Sequence, residues 1–231
     1  MNPFGRDDKA ARRMAGADSV VVLGLGRFGR SLAAELIAGG TEVLGIDADE
    51  QIVQEVSATL THVVRADTTS EEALRQLAVP EFDRAVVAIG SHIEASLLTA
   101  SLLKTLGVKT IWAKAISEPH GRILSQLGVD HVVYPEHDMG RRVAHLVRGG
   151  MLDFIQFEPD FAMVKTVPPA VLVGRPLAET GVRREHGVTV VGVKPPGGSF
   201  THATGETVLG RDDTVIISGL PQAVERFSGL Q

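Results

Sequence analysis

A glycine-rich segment directly after a short apolar run constrains this chain more than any other feature of its sequence. The run Ser19–Leu23 is typical of a buried strand, and the segment Gly24-Leu25-Gly26-Arg27-Phe28-Gly29 follows it with the spacing GxGxxG. Phe28–Ala38 then has the apolar spacing of a helix. In such a strand–turn–helix unit the first glycine permits the tight turn. The second lets the backbone approach a phosphate, and the third lets the helix pack closely on the strand.

An acidic residue at the end of the next strand completes this pattern. Asp47 follows the apolar run Glu42–Ile46, 18 residues after Gly29, where a carboxylate meets ribose hydroxyls and repels a 2′-phosphate. Because a helix N-terminus also favours an anion, the unit predicts a nucleotide site that disfavours NADP. The alternative is that the three glycines serve a tight turn alone. Arg27 inside the loop suits a highly charged terminal phosphate. The alternative for Arg27 is a solvated side chain on the first helical turn.

Apolar runs and helical segments alternate through the first 150 residues. This alternation predicts an α/β fold with a doubly wound parallel Rossmann sheet. The expected strands are Ser19–Leu23, Glu42–Ile46, Thr61–Arg65, Arg84–Ile89, Thr110–Ala113 and His131–Tyr134. The expected helices are Phe28–Ala38, Glu50–Ala58, Ser70–Ala78 (with a capping-box-like start), Glu94–Leu106, Pro119–Leu127 and Glu136–Val147.

The composition changes after Gly149-Gly150, which we take as the domain boundary. We expect residues 1–18 to form a disordered tail and residues 19–150 to form the nucleotide-binding domain. We expect residues 151–231 to form a smaller α+β domain with more antiparallel strand. The strands expected in this second domain are Phe154–Glu158, Ala162–Val167, Thr189–Val193 and Thr214–Ser218.

Further polar residues follow the other predicted strands of the first domain. Asp67 and Thr68 follow the third strand, Gly90 the fourth and Lys114 the fifth. The carboxyl edge of such a sheet is where ligands bind, so Asp67 or Thr68 is a candidate for the adenine or ribose and Lys114 for the phosphates. The alternatives are that Asp67 and Thr68 cap the next helix and that Lys114 is a solvated surface lysine.

Composition excludes several classes of function. The formal charge is −5, which argues against broad nucleic-acid binding. The chain has no cysteine, so disulfides, thiolate metal sites and thiol catalysis are excluded. No apolar run approaches the roughly 20 residues needed to span a bilayer, and the first 18 residues lack a signal-peptide core, so we expect a cytosolic protein. No metal-binding histidine spacing, GxSxG elbow or Walker A loop is present.

Several motifs together resemble the RCK (regulator of potassium conductance) family, with its TrkA-N and TrkA-C domains. These are the glycine loop, the run VVAIG at Val86 to Gly90, Lys114 after IWA, and LGVDHVVYPEHDMG at Leu127 to Gly140. In the second domain, GRPL at Gly174 and VRREHGV at Val182 match the family pattern. The chain looks most like the cytosolic regulatory subunits of Ktr-type potassium uptake systems.

The resemblance implies a regulatory protein rather than an enzyme. It implies that ATP or ADP, and in some members NAD(H), binds the first domain, and that dimers assemble into an octameric ring. The ring would lie at the inner face of the cell membrane on a separate K⁺ transporter of Ktr or Trk type. By motif, Arg27 would contact the terminal phosphates, Asp47 the ribose, and Glu136 a divalent cation or Na⁺, for which carboxylate oxygens are suitable ligands. The alternative for Glu136 is a carboxylate favoured by the helix dipole.

In some family members the second domain dimerises and binds cyclic di-AMP, and Arg183 or Arg184 is the candidate contact here. The segment between Phe200 and Val208 departs from the family pattern, which leaves a ligand-free dimerisation module as the alternative. For the whole chain the alternatives are an NAD-dependent oxidoreductase, a Trk-type regulator and the detached cytosolic domain of a channel. Trk-type regulators commonly carry tandem repeats of this unit, whereas this chain holds one.

Overall fold

The structure, a computed structural model, describes residues 19–60 and 62–230. Two parts of the sequence-based predictions lie outside the described residues. One is the tail over residues 1–18, and the other is Thr61, at the start of the predicted third strand. The described residues divide into two compact units, which meet in the chain between Pro135 and Glu136. Among the described residues, no helix combines the length and the hydrophobicity that crossing a bilayer requires.

The first unit contains a parallel six-stranded sheet, as the sequence predicts. Its strands are β1 Ser19–Leu23, β2 Glu42–Asp47, β3 His62–Arg65, β4 Arg84–Val87, β5 Thr110–Lys114 and β6 His131–Val133. They lie in the order β3-β2-β1-β4-β5-β6. The chain builds outward from β1 in one direction and then returns to its other side with β4. This reversal leaves a crevice at the carboxyl ends of β1 and β4, the usual ligand position in such sheets.

Helices cover both faces of this sheet because the central strand is apolar on both sides. All five residues of β1 are buried. Val20 and Val22 belong to one core cluster, and Val21 and Leu23 belong to another. The helices of the first unit are α1 Arg27–Ala38, α2 Glu50–Val56, α3 Glu71–Gln76, α4 Ile93–Thr105 and α5 Glu118–Gln126. The predicted cap at Ser70 is confirmed, since its hydroxyl accepts from the Ala73 N–H at 3.3 Å.

The second unit contains a five-stranded antiparallel sheet. Its strands are β7 Met151–Glu158, β8 Phe161–Thr166, β9 Val188–Lys194, β10 Thr201–His202 and β11 Thr214–Gly219. They lie in the order β10-β9-β11-β8-β7. Four of these were predicted, and β10 was not. Three short helices were also not predicted: α7 Leu177–Thr180, α8 Val182–His186 and α9 Pro221–Ser228. Segments of two to eight residues are too short to show a clear period.

The helix α6, Pro135–Val147, is grouped with the second unit, whereas the sequence places it at the end of the first. Its Arg142 guanidinium binds both carboxylate oxygens of Asp153 in β7, at 2.7 and 2.9 Å. The His145 ring stacks on Phe154 at 3.8 Å, and its Nδ1 hydrogen-bonds Glu225 of α9. These contacts attach α6 to the second sheet. The turn at Gly149-Gly150, which marks the boundary in the sequence, therefore lies within the second unit.

The buried His120 in α5 makes the stability of the first unit depend on pH. His120 is 2% exposed, and Nε2 has no partner among the described residues. Burial lowers the pKa of this imidazole below its ordinary value, because the protonated ring would lose its hydration. A lowered pKa means that the unfolded chain binds the proton more readily than the folded one. The contribution of His120 to the free energy of unfolding of the first unit is therefore complete above about pH 6.5. It is lost as the pH falls below this value, because the unfolded chain takes up the proton more readily.

We expect His120→Phe, which keeps a buried ring without a titrating nitrogen, to flatten this pH dependence. Denaturant unfolding of both proteins between pH 7.5 and 5 measures it. The difference in the free energy of unfolding, wild type minus variant, should fall as the pH is lowered. Parallel curves across this range would show that His120 does not titrate in this way.

Candidate functional site

The glycine loop after β1 has the backbone that the sequence predicts. Gly24 adopts φ +97°, a left-handed conformation that favours glycine, and its N–H donates to the Ile46 carbonyl at 2.8 Å. A Cβ on Gly24 would lie 3.0–3.1 Å from atoms of Ile89 and Ala88. The turn is therefore tight both in conformation and in packing.

The other two glycines of the loop have opposite surroundings. A Cβ on Gly29 would lie 1.9 Å from the Gly24 carbonyl oxygen, so α1 packs directly on the loop. A Cβ on Gly26 would meet nothing within 4 Å. Gly26 is the N-cap of α1, where no side chain caps the helix and no acidic residue lies in the first turn. This open helix N-terminus suits an anion.

Asp47 at the end of β2 holds the glycine loop from the opposite side. Its Oδ2 accepts from the Leu25 N–H at 2.6 Å, and its Oδ1 accepts from the Asp49 N–H at 2.9 Å. A carboxylate accepts about four hydrogen bonds. Asp47 therefore retains capacity for ribose hydroxyls while it orients the loop. The bond to Leu25 could not be read from the sequence, because a backbone N–H leaves no residue-type signal.

Lys114, at the end of β5, lies close to Phe28 of α1 and to Gly90, which follows β4. Its side chain is buried (8% exposed), and Nζ lies 5.7 Å from the centre of the Phe28 ring. A Cβ on Gly90 would lie only 3.1 Å from Nζ. The alternative of a solvated surface lysine is therefore wrong. The structure brings Phe28, Gly90 and Lys114 together at the carboxyl edge of the sheet.

The two polar residues after β3 have structural partners. The Thr68 hydroxyl is buried 2.9 Å from the Thr99 hydroxyl of α4. Asp67 is exposed, and its Oδ1 accepts from the N–H and the hydroxyl of Thr69, at 2.9 and 2.7 Å. For Thr68 these contacts favour a structural role. In Asp67, no described residue bonds Oδ2, so a ligand contact through that oxygen stays a prediction.

The roles predicted for Arg27 and Glu136 both depend on bound ligands. Arg27 is the first residue of α1, is exposed, and forms no ion pair with any residue in 19–60 or 62–230. Glu136 is exposed in the first turn of α6. Among the described residues, no group of three or more His, Asp or Glu side chains is arranged to hold a metal ion. The phosphate role of Arg27 and the cation role of Glu136 therefore stay predictions.

The second unit has a cavity of about 430 Å³ that both predicted arginines line. Arg183 Nε donates to the Thr189 hydroxyl at 3.1 Å. The Arg184 side chain is 83% exposed and contacts Glu185 at 3.2 Å. Thr204 lines the same cavity, although the sequence did not single it out. The cavity has a size suited to a small ligand.

A parallel sheet with this glycine loop and this acidic residue defines a Rossmann nucleotide-binding protein. Two family models match the chain: the TrkA-N domain over residues 20–135 and the TrkA-C domain over residues 161–230. The chain belongs to this TrkA-N/TrkA-C family of RCK proteins.

Three relatives named as potassium uptake proteins align with most of the chain. Ktr system potassium uptake protein C of Bacillus subtilis is 37% identical over 89% of this chain and 94% of its own. Ktr system potassium uptake protein A is 34% identical in B. subtilis, over 89% and 93% of the two chains. In Vibrio alginolyticus it is 33% identical, over 88% and 93%.

Solved structures share the fold. The GsuK RCK domain has a TM-score of 0.64 and 18% identity, covering 93% of this chain and 48% of that one. The GsuK channel bound to NAD has a TM-score of 0.65 and 18% identity, covering 93% and 40%. The predicted family and fold are thus confirmed.

Proposed function

We propose that this chain is a regulatory subunit that gates a separate membrane K⁺ transporter of Ktr type in response to ATP and ADP. One observation carries the proposal: the open helix N-terminus at Gly26 has the exposed Arg27 beside it, and Lys114 lies against Phe28 in the same helix. The relatives named as Ktr potassium uptake proteins support the choice of partner. The role is regulatory rather than catalytic, and the protein acts in the cytoplasm, at the membrane through its partner.

The proposed switch acts at the terminal phosphate. A ligand shifts a conformational equilibrium only through unequal affinity for the two states. ATP and ADP differ by one phosphate, so the groups that distinguish them must contact it. Arg27, with a divalent cation or Na⁺ on Glu136, is proposed to hold two subunits in one orientation with ATP and to release them with ADP. The assembly would be a dimer-based octameric ring, and NAD(H) would be a further ligand of the same site.

Removing the Arg27 guanidinium tests this switch. We expect Arg27→Ala to weaken ATP binding by about tenfold and ADP binding much less, because the lost charge-assisted contact is to the terminal phosphate. Calorimetric titration with ATP and ADP, with and without Mg²⁺, measures both affinities. Arg30→Ala is the matched control, since Arg30 lies one turn further along α1 and pairs with Glu55. If Arg27→Ala distinguishes ATP from ADP as well as the wild type does, this mechanism fails.

The cavity in the second unit favours an additional ligand, and we propose cyclic di-AMP. The two arginines at the cavity supply cations for its two phosphates. Arg184→Ala is expected to weaken cyclic di-AMP binding by about tenfold without changing ADP affinity. Arg175→Ala is a suitable control, because its guanidinium donates to the Val171 carbonyl. Absence of cyclic di-AMP binding to the wild type would favour a ligand-free dimerisation module.

A further inference from the structure

The ribose end of the proposed nucleotide site contains three carboxylates and one guanidinium. Asp47, Asp49 and Glu50 follow one another around the end of β2, and Arg65 ends β3. Asp47 and Arg65 are partners in the parallel register, so their side chains leave the same face of the sheet. Arg65 is therefore placed beside the carboxylate expected to bind the ribose.

Most of these charged groups already have partners. Asp49 Oδ1 accepts from the backbone N–H of Gln51 and Ile52 and caps α2. Arg65 Nη1 lies 3.0 Å from Glu50 Oε2, and its Nε donates to the Ala48 carbonyl at 3.3 Å. Glu50 thus holds the guanidinium against the loop that follows β2.

An arginine close to this acidic position accommodates the 2′-phosphate in NADP-binding Rossmann proteins. Arg65, at the end of β3, is the arginine in this position, but Glu50 pairs with it and adds a third negative charge beside Asp47 and Asp49. Resting on the nucleotide site proposed above, we propose that Glu50 is a specificity residue. By retaining Arg65, it restricts the site to adenosine nucleotides with an unmodified ribose 2′-hydroxyl.

The pair is suited to a clean test because it contributes little to the fold. The Arg65 and Glu50 side chains are 61% and 63% exposed. Exposed ion pairs contribute little to stability. Glu50→Gln therefore leaves the unit folded, retains the side-chain length, and releases the guanidinium.

The experiment compares ligands that differ only in the 2′-phosphate. The full chain is titrated with 5′-AMP and adenosine 2′,5′-bisphosphate, and with NAD⁺ and NADP⁺. The wild type is expected to prefer the ligand without the 2′-phosphate by at least about tenfold. Glu50→Gln should narrow this preference by about three- to tenfold, through tighter binding of the 2′-phosphorylated ligand alone. The double variant Glu50→Gln/Arg65→Ala should restore the preference.

A matched control is Glu71→Gln, which breaks the similarly exposed pair with Arg75 in α3 and should leave the preference unchanged. If the wild type binds the 2′-phosphorylated ligands equally well, or if Glu50→Gln does not narrow the preference, the specificity role of Glu50 is overturned while the nucleotide site stands. If the wild type binds none of ADP, 5′-AMP and NAD⁺, the nucleotide site itself fails.

Discussion

Gly29→Ala is expected to abolish measurable nucleotide binding and to lower the free energy of unfolding by about 1–3 kcal/mol. The new Cβ would lie 1.9 Å from the Gly24 carbonyl oxygen, so α1 must move away from the loop. The opposing atom belongs to the backbone and has no rotamer through which to escape. The movement would also displace the helix N-terminus that faces the phosphates.

Gly26→Ala is the matched variant because it makes the same substitution in the same loop. Its Cβ meets nothing within 4 Å, and φ −61° is compatible with alanine. We expect its stability to change by less than about 0.5 kcal/mol. Its ADP affinity should nevertheless fall by about tenfold or more, because the methyl group occupies the space through which a phosphate approaches.

Thermal unfolding and calorimetry with ADP, applied to both glycine variants, separate the two roles. Gly29→Ala should lose stability without ligand, whereas Gly26→Ala should lose only the stabilisation that ADP adds. Equal ADP affinity in Gly26→Ala and the wild type would show that no phosphate approaches the loop at this glycine.

Asp47→Ala is expected to weaken ADP binding by at least about tenfold and to destabilise the first unit by about 1–3 kcal/mol. The substitution removes the proposed ribose acceptor and leaves the Leu25 N–H without its 2.6 Å partner. The glycine loop then loses its attachment to β2. Calorimetry with ADP and denaturant unfolding measure the two effects.

The neighbouring Asp49→Ala controls for loss of a carboxylate at the same corner. Asp49 also accepts two backbone N–H bonds, but both lie within its own helix cap. Its loss should cost about 1 kcal/mol of stability, as for other N-caps. ADP affinity should change by less than about twofold. If Asp47→Ala and Asp49→Ala lose ADP affinity equally, Asp47 contributes only a negative charge and no specific contact with the ribose.

The sequence by itself determined the features that depend on local spacing. The strand Ser19–Leu23, the glycine turn, helix α1 and Asp47 were all predicted, and the parallel sheet followed from the alternation of strands and helices. These features are readable because the conformation of glycine, the period of apolar residues and the end of a strand act within a few residues.

Only the tertiary structure decided which partners the side chains contact. Lys114 is buried beside Gly90 and Phe28, the Thr68 hydroxyl contacts α4, and Arg65 pairs with Glu50. It also grouped α6 with the second sheet through Arg142 and His145. Each of these partnerships joins residues from different helices, strands or loops. Local propensity and spacing do not encode such contacts, which exist only once the sheet sets the neighbours of each strand end.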